Sequence, residues 1–261
     1  MTVTLTVDAD ATAHIILARP AKRNALDRAM LLDLRRCIAS LQERDDVHVV
    51  LLRGEAGVFC AGADIADWTS PTNRVAEELS RLGKETFDAL ADLPAVSVAV
   101  IEGVAVGGGL ELALACDFRI ADVNARLGLP ELGLGNLPSW GGMARLVDVA
   151  GLGVARQLLL SSMLITGAQA AELRVVTAAH PADEIQDAVA ALVAQLGATE
   201  PHATSLAKQV LRELQTEIGI ESALAGYTAG LDSSRLRKQE FLDKKAAAKA
   251  ARNTTSQGVT A

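Results

Sequence analysis

An α/β fold of parallel strands joined by crossover helices is what this sequence predicts, and three observations lead there. Short β-branched runs, VHVVLLRG and PAVSVAVI among them, alternate with longer segments whose apolar residues recur at helical spacing. Two glycine turns, FCAGAD at Phe59–Asp64 and VAVGGG at residues 104–109, follow such runs, at the carboxyl ends of strands where open α/β sheets gather their ligands. The chain has 261 residues, half of them apolar, enough to bury a sizeable core as one large domain or a domain with an appendage.

Each element can be justified in turn. Val3–Val7 and His14–Ala18 alternate like strands around an Asp-rich turn and predict an opening hairpin, closed by the breaker in RPAKRNAL. From Leu26, the residues Met30, Leu34, Ile38 and Leu41 mark a helix with Asp27 at its N-cap. VHVVLLRG is long enough for a buried strand, too short for a helix, and is ended by Gly54. A helix near Val75–Leu93 and a second buried strand, Pro94–Ile101, lead into the glycines and a short apolar helix. After Asp117–Ala121 the Gly/Pro-rich LGLPELGLGNLPSWGG reads as a loop, followed by helices through Leu160. A strand near Val175–Ala179 precedes a helical tail from Ile185 to about Ala251, and the polar NTTSQGVTA is expected to fray.

Composition limits the function. The formal charge of −7 argues against a general nucleic-acid or membrane-surface binder, which would need a broad basic field. Cys37, Cys60 and Cys116 are few, odd in number and unlike metal motifs in spacing, so buried thiols in a reducing compartment are expected. No apolar run reaches the roughly 18 residues of a membrane span, and the N-terminus lacks the pattern of a secretory signal. A cytoplasmic protein is the resulting expectation.

The chemistry concentrates in a few residues. Neither GxxxxGK[ST] nor GxGxxG is present, so the glycines do not match a nucleotide loop. They do let a strand turn sharply into a helix whose first N–H groups lack internal partners, and such donors suit an oxyanion. FCAGAD can supply a second donor. Glu111 lies in the apolar helix opened by the glycines, and Glu131 follows Pro130 about twenty residues later. Two carboxylates whose surroundings push their pKa values apart can activate water and deliver a proton. The four histidines are scattered and Ser139 lacks a GxSxG context, which disfavours a Ser–His–acid hydrolase.

RPAKRNAL, FCAGADI, EGVAVGGGLELALACDFRIA and LGLPELGLGNLPSWGGMARL, in this order and spacing, resemble the crotonase superfamily, the enoyl-CoA hydratase/isomerase family, over roughly residues 1–210. The resemblance implies a crotonase (ClpP/crotonase-like) spiral of ββα repeats over residues 1–200. It implies a C-terminal helical region over 201–261, serving trimerisation and CoA contacts and ending in the frayed tail. It places the oxyanion donors on the N–H groups of Ala63 and Gly108, and the two hydratase glutamates on Glu111 and Glu131. Retention of both acids favours hydration of a 2-trans-enoyl-CoA over the alternatives, a Δ3,Δ2-enoyl-CoA isomerase, a decarboxylase or a hydrolase. In the implied mechanism Glu131 acts as base while Glu111 positions water and assists proton transfer, and a side chain at Gly108 would obstruct the thioester.

The resemblance also implies acyl-CoA contacts at Lys22, Ala25, Leu26, Ala61, Asp64, Ile65 and Gly107, with Trp140 shaping the acyl pocket. The basic segment Arg235–Lys245 concentrates positive charge in an acidic protein and is expected to serve the CoA phosphates, with Lys244 and Lys245 as its contacts. No metal or cofactor is implied beyond the CoA of the substrate, and a homotrimer or homohexamer is expected, without nucleic-acid or membrane partners. Four departures stand out: Ala66 where many relatives carry a basic residue, Arg174 in place of a small glycine, SSRLRKQEFLDKK in place of an acidic-glycine signature, and the bulk of Trp140.

Overall fold

The computed structural model describes residues 2–68, 73–213 and 232–257. The hairpin forms as expected, with β1 (Val3–Val7) antiparallel to β2 (Thr12–Leu17). From β2 onward the main sheet is parallel: β3 (Val49–Gly54), β4 (Val96–Ile101), β6 (Phe118–Asp122) and β9 (Ala178–His180) complete the order β1-β2-β3-β4-β6-β9. All six residues of β4 are buried, as a central parallel strand covered on both faces must be.

A second layer carries the function. β5 (Val104–Val106), β7 (Arg126–Gly128) and β8 (Ile165–Thr166) form a small sheet. Two loops extend it, because Cys60 bridges Ala105 and Leu26 bridges Ala63, both in parallel sense. The chain therefore repeats one move: a strand in the main sheet, a short strand in the second layer, then a helix. β3, the 59–63 turn and α2 (Asn73–Ala91) make one repeat; β4, β5 and α3 (Gly108–Leu114) make the next. This is the crotonase-type ββα spiral. Segments of two or three residues are too short to show strand periodicity, which is why the residues alone predicted no strands there.

The helices close the molecule. α1 (Arg28–Gln42) starts where Asp27 Oδ1 accepts the Met30 N–H at 2.8 Å, and its buried stripe Met30, Leu31, Leu34, Ile38 and Leu41 enters the core. α4 (Gly142–Ser161) is broken at Gly151, and α5 (Gly167–Glu172) opens on a Thr166/Gln169 capping box. The strand expected at Val175–Ala179 begins only at Ala178. The Val175 and Val176 amides instead donate to Ala170 O and finish α5. α6 (Ile185–Gly197), α7 (Pro201–Glu213) and α8 (Asp232–Gln257) follow. The last helix continues to Gln257, into the segment expected to fray; residues 258–261 of that segment, and 214–231 of the expected helical tail, lie outside the described residues. Among the described residues no helix is long and apolar enough to cross a membrane.

Candidate active site

The two glycine turns lie side by side. Cys60 donates to Val104 O at 2.9 Å and accepts from the Val106 N–H at 3.2 Å, which aligns the 59–63 segment with β5. A Cβ on Gly62 would meet Val106 O at 2.5 Å and Gly108 N at 3.4 Å, so the turn after one strand sits against the turn after the next. The bridge to Leu26 uses Gly62 O and the Asp64 N–H, both at 2.8 Å. In a parallel bridge these flanking groups face the partner, so the Ala63 N–H points the other way. Among the described residues neither the Ala63 nor the Gly108 N–H has a protein acceptor. Gly108 is the first residue of α3, where such amides are left over by the helix itself.

Glu111, one turn into α3, is 2% exposed. Its Oε1 accepts two backbone N–H groups, from Trp140 at 2.8 Å and Gly142 at 2.9 Å, at the N-terminus of α4. Amide donors at a helix start favour an ionised carboxylate. This answers the cost of an acid among leucines: LPSWGG supplies its partners.

Glu131 begins a 3-10 turn, Glu131–Leu134, after Pro130. The residue is only partly buried as a whole, yet its Oε2 is enclosed and has no hydrogen-bond partner among the described residues. A Cβ on Gly107 would stand 2.9 Å from Glu131 Oε1, and Gly107 has φ +57°. Only glycine meets both demands there. Burial first, then the negative charge of Glu111, raises the Glu131 pKa well above its ordinary value. One carboxylate is thus held by amides and its neighbour is driven toward the protonated form, the separation that acid–base work requires.

Trp140 joins these parts from behind. It is 1% exposed and packs edge-on against Phe87, with ring centroids 5.3 Å apart. A Cβ at Gly83 would fall 2.2 Å from its Nε1, and one at Gly108 2.2 Å from its Cζ3. The indole therefore fills the space between α2 and α3 that two glycines leave open. A side chain at Gly108 would strike this ring, so obstruction of the thioester is not its first consequence. Arg145 donates to Trp140 O at 2.9 Å and pairs with Asp88 on α2, tying down the peptide between the two whose N–H groups hold Glu111.

The remaining expected residues divide. Ala25, Leu26, Ala61 and Asp64 are brought together, since the Ala61 N–H donates to Arg23 O at 3.0 Å beside the Leu26 bridge; Ile65 follows directly. Asp64 is occupied by Arg19 at 2.9 Å, with Lys22 at 3.9 Å and largely exposed. Burial acts to raise the Asp64 pKa, but the Ala66 N–H, Arg19 and Lys22 more than offset it and leave it lowered. Lys244 and Lys245 lie on exposed positions of α8. Arg19 and Asn24 were missed. Buried Asn24 accepts from the Arg19 N–H and donates to the carbonyls of Glu55 and Val58, pinning the RPAKRNAL loop to the neighbouring repeat. The signal was an Asn beside a breaker, a residue type suited to such turns. Cys60 and Cys116 are buried and their thiols are pushed up to about 12, which removes them as nucleophiles.

Unengaged amides at the ends of adjacent strands, beside an enclosed carboxylate pair, define an enzyme site able to stabilise charge developing on a carbonyl oxygen while moving protons nearby. The comparisons narrow this class. A profile of the enoyl-CoA hydratase/isomerase family matches residues 8–248. The crotonyl-CoA hydratase of Syntrophomonas wolfei is 31% identical, over 90% of this chain and 93% of its own. The crystal structure of an enoyl-CoA hydratase from Bacillus anthracis is 29% identical, with a TM-score of 0.79 over 88% of this chain and 91% of that one. A Thermobifida fusca chain solved in complex with acetoacetyl-CoA is 33% identical, with a TM-score of 0.75 over 87% and 92%. The chain belongs to the enoyl-CoA hydratase/isomerase family.

Proposed function

We propose that this enoyl-CoA hydratase adds water to a 2-trans-enoyl-CoA, with Glu111 as the general base and Glu131 as the proton donor. The observation that carries the assignment is the asymmetry of the pair: Glu111 Oε1 accepts two amides, while Glu131 is enclosed, with Oε2 unpartnered and its pKa raised. This reverses the allocation that the family resemblance suggested for Glu131. The Glu111 carboxylate takes a proton from water as its oxygen bonds to C3. The electron pair of the C2–C3 double bond moves onto the thioester oxygen, held by the Ala63 and Gly108 N–H groups, and the enolate then collapses as Glu131 protonates C2. Transfer of the captured proton from Glu111 to Glu131 restores both acids.

The reaction so drawn requires no metal or redox group, and CoA enters only with the substrate. The loop at Lys22–Leu26 and the Ala61–Ile65 segment are the proposed CoA contacts, with Lys244 and Lys245 on its phosphates. A cytoplasmic setting is supported by three free cysteines. Assembly as a homotrimer or homohexamer is supported by the exposed Leu206, Val210 and Leu211 on α7.

Loss of the conjugated enoyl thioester absorbance reports hydration directly. Glu111→Gln keeps an oxygen for the Trp140 and Gly142 amides but loses the charge, and Glu131→Gln loses the proton. Each is expected to lower kcat by about 10²–10⁴-fold. The double variant should lose far less than the product of the two, because the acids act as a unit. Wild-type protein that converts 3-enoyl to 2-enoyl thioesters without hydrating them, and tolerates Glu111→Gln, would establish an isomerase instead.

A further inference from the structure

The Ala63 amide is held in place by little backbone. Leu26 and Ala63 form an isolated bridge outside the strands, in which the Leu26 N–H donates to Gly62 O and the Leu26 carbonyl accepts the Asp64 N–H, both at 2.8 Å. Two such bonds contribute modest net stability, whereas an oxyanion donor has to be aimed before charge appears on its acceptor. The side chains around the bridge supply the further constraint.

Arg19 spans the bridge. Its Nη2 pairs with Asp27 Oδ2 at 3.1 Å and its Nη1 with Asp64 Oδ2 at 2.9 Å, and these two acids are the residues that follow Leu26 and Ala63. Nη1 also donates to the carbonyl of Ala25, the residue before Leu26, at 2.9 Å. Each acid is engaged at its other oxygen as well: Asp27 Oδ1 caps α1 through the Met30 N–H, and Asp64 Oδ1 accepts the Ala66 N–H at 3.3 Å. The backbone of Arg19 is anchored in turn by buried Asn24, whose Oδ1 accepts the Arg19 N–H at 2.9 Å and whose own N–H donates to Arg19 O at 3.0 Å. One guanidinium thus ties both sides of the bridge to each other and to the start of α1. The Asp64 side chain is only 12% exposed, so this pair is shielded from water more than a surface ion pair is. A planar fork can hold two carboxylates and a carbonyl at once, which the point charge of a lysine cannot. Lys22, 3.9 Å from Asp64 Oδ2 and largely exposed, is no substitute.

Resting on the hydratase reading for the role of the Ala63 N–H, we propose that Arg19 is a positioning residue, which clamps Asp27 to Asp64 and so aims the Ala63 amide at the thioester oxygen. It acts through Asp64 and not on the substrate itself.

The test uses acetoacetyl-CoA, which has no C2–C3 double bond to hydrate and ionises to an enolate with its own absorbance. Donors on the thioester oxygen stabilise that enolate, so the pH at which half of the bound ligand is ionised reports the oxyanion site. Arg19→Lys keeps the charge but loses the fork. It should raise this midpoint by about one pH unit and lower kcat for hydration about tenfold, less than the roughly 10²–10³ expected for losing a whole donor. Asp64→Asn removes a negative charge, which alone would favour the enolate and lower the midpoint; loss of the clamp should raise it instead. The double variant should shift it no further than the larger single change, because both substitutions break one contact. An unchanged midpoint in folded Arg19→Lys would overturn the proposal and leave the arginine a stabilising role alone. Equal weakening of free CoA and acetoacetyl-CoA by Arg19→Lys, without a shifted midpoint, would also overturn it by assigning Arg19 to the CoA moiety. If Arg19→Lys does not fold, a lowered midpoint in Asp64→Asn overturns the proposal by itself. A raised midpoint in both single variants of a protein that never hydrates an enoyl-CoA would support the clamp and count against the hydratase reading alone.

Discussion

Glu131 is the residue whose behaviour with pH follows from its place. Burial and the nearby Glu111 raise its folded-state pKa above the unfolded value of about 4.5. A group raised in this way contributes stability that is fully present below the unfolded pKa and is lost as pH rises through the folded pKa. Wild type should therefore lose stability relative to Glu131→Gln by about 1.4 kcal/mol per pH unit at most within that window, and no further above it. Urea unfolding of both proteins from pH 4.5 to 9 checks this, and parallel curves would refute it. The same titration distinguishes the two allocations of roles. A proton donor loses kcat on the alkaline side as Glu131 ionises, whereas a base at that position would gain activity there. Glu111 was legible as a functional candidate because an acid among leucines needs a reason. Its partners were not, since the Trp140 and Gly142 amides arrive from about thirty residues downstream.

At the scale of the element, the turn from α5 to β9 carries a visible strain. Arg174 has φ +61° and is exposed, with Val175 and Val176 buried immediately after it. The left-handed region costs a non-glycine residue roughly 1–2 kcal/mol, while glycine gives back about 0.5–1 kcal/mol in chain entropy. Arg174→Gly is therefore expected to stabilise the protein by about 0.5–1 kcal/mol, read as a higher urea midpoint with an unchanged slope. A lower midpoint would mean that the arginine side chain contributes something its exposure does not suggest. The departure from the family glycine was evident in AAELRVV, and its meaning became evident with the backbone angle. The long helices and β3 and β4 were legible because each is long enough to show a period or a buried run. β5, β7 and β8 were not, because their pairing partners, not their own residues, make them strands.

For the molecule as a whole, the exposed apolar residues indicate where copies would meet. Leu206, Val210 and Leu211 stand out of α7, and Leu152 and Leu160 out of α4. Fully covering one such side chain is worth about 1.5–3 kcal/mol, so several on one face favour association. The wild type is expected to sediment as a trimer or hexamer, and Leu206→Glu with Val210→Glu should shift it toward the single chain. A monomeric wild type would remove the assembly from the proposal.

The sequence by itself determined the main parallel sheet, the helices between its strands and the family, because these depend on local periodicity and on motifs that keep their order along the chain. It also singled out Glu111, Glu131, Ala63 and Gly108 as candidates. Only the tertiary structure decided how they meet: that the Gly62 and Gly108 turns abut, that Trp140 fills the gap left by Gly83 and Gly108, and that Lys238 is buried on a helix whose other described side chains are almost all exposed. The physical reason is common to all three. Burial and hydrogen-bond partnership are properties of neighbours distant in the chain, and no local pattern encodes whether a charge will find its counterpart when the chain closes on itself.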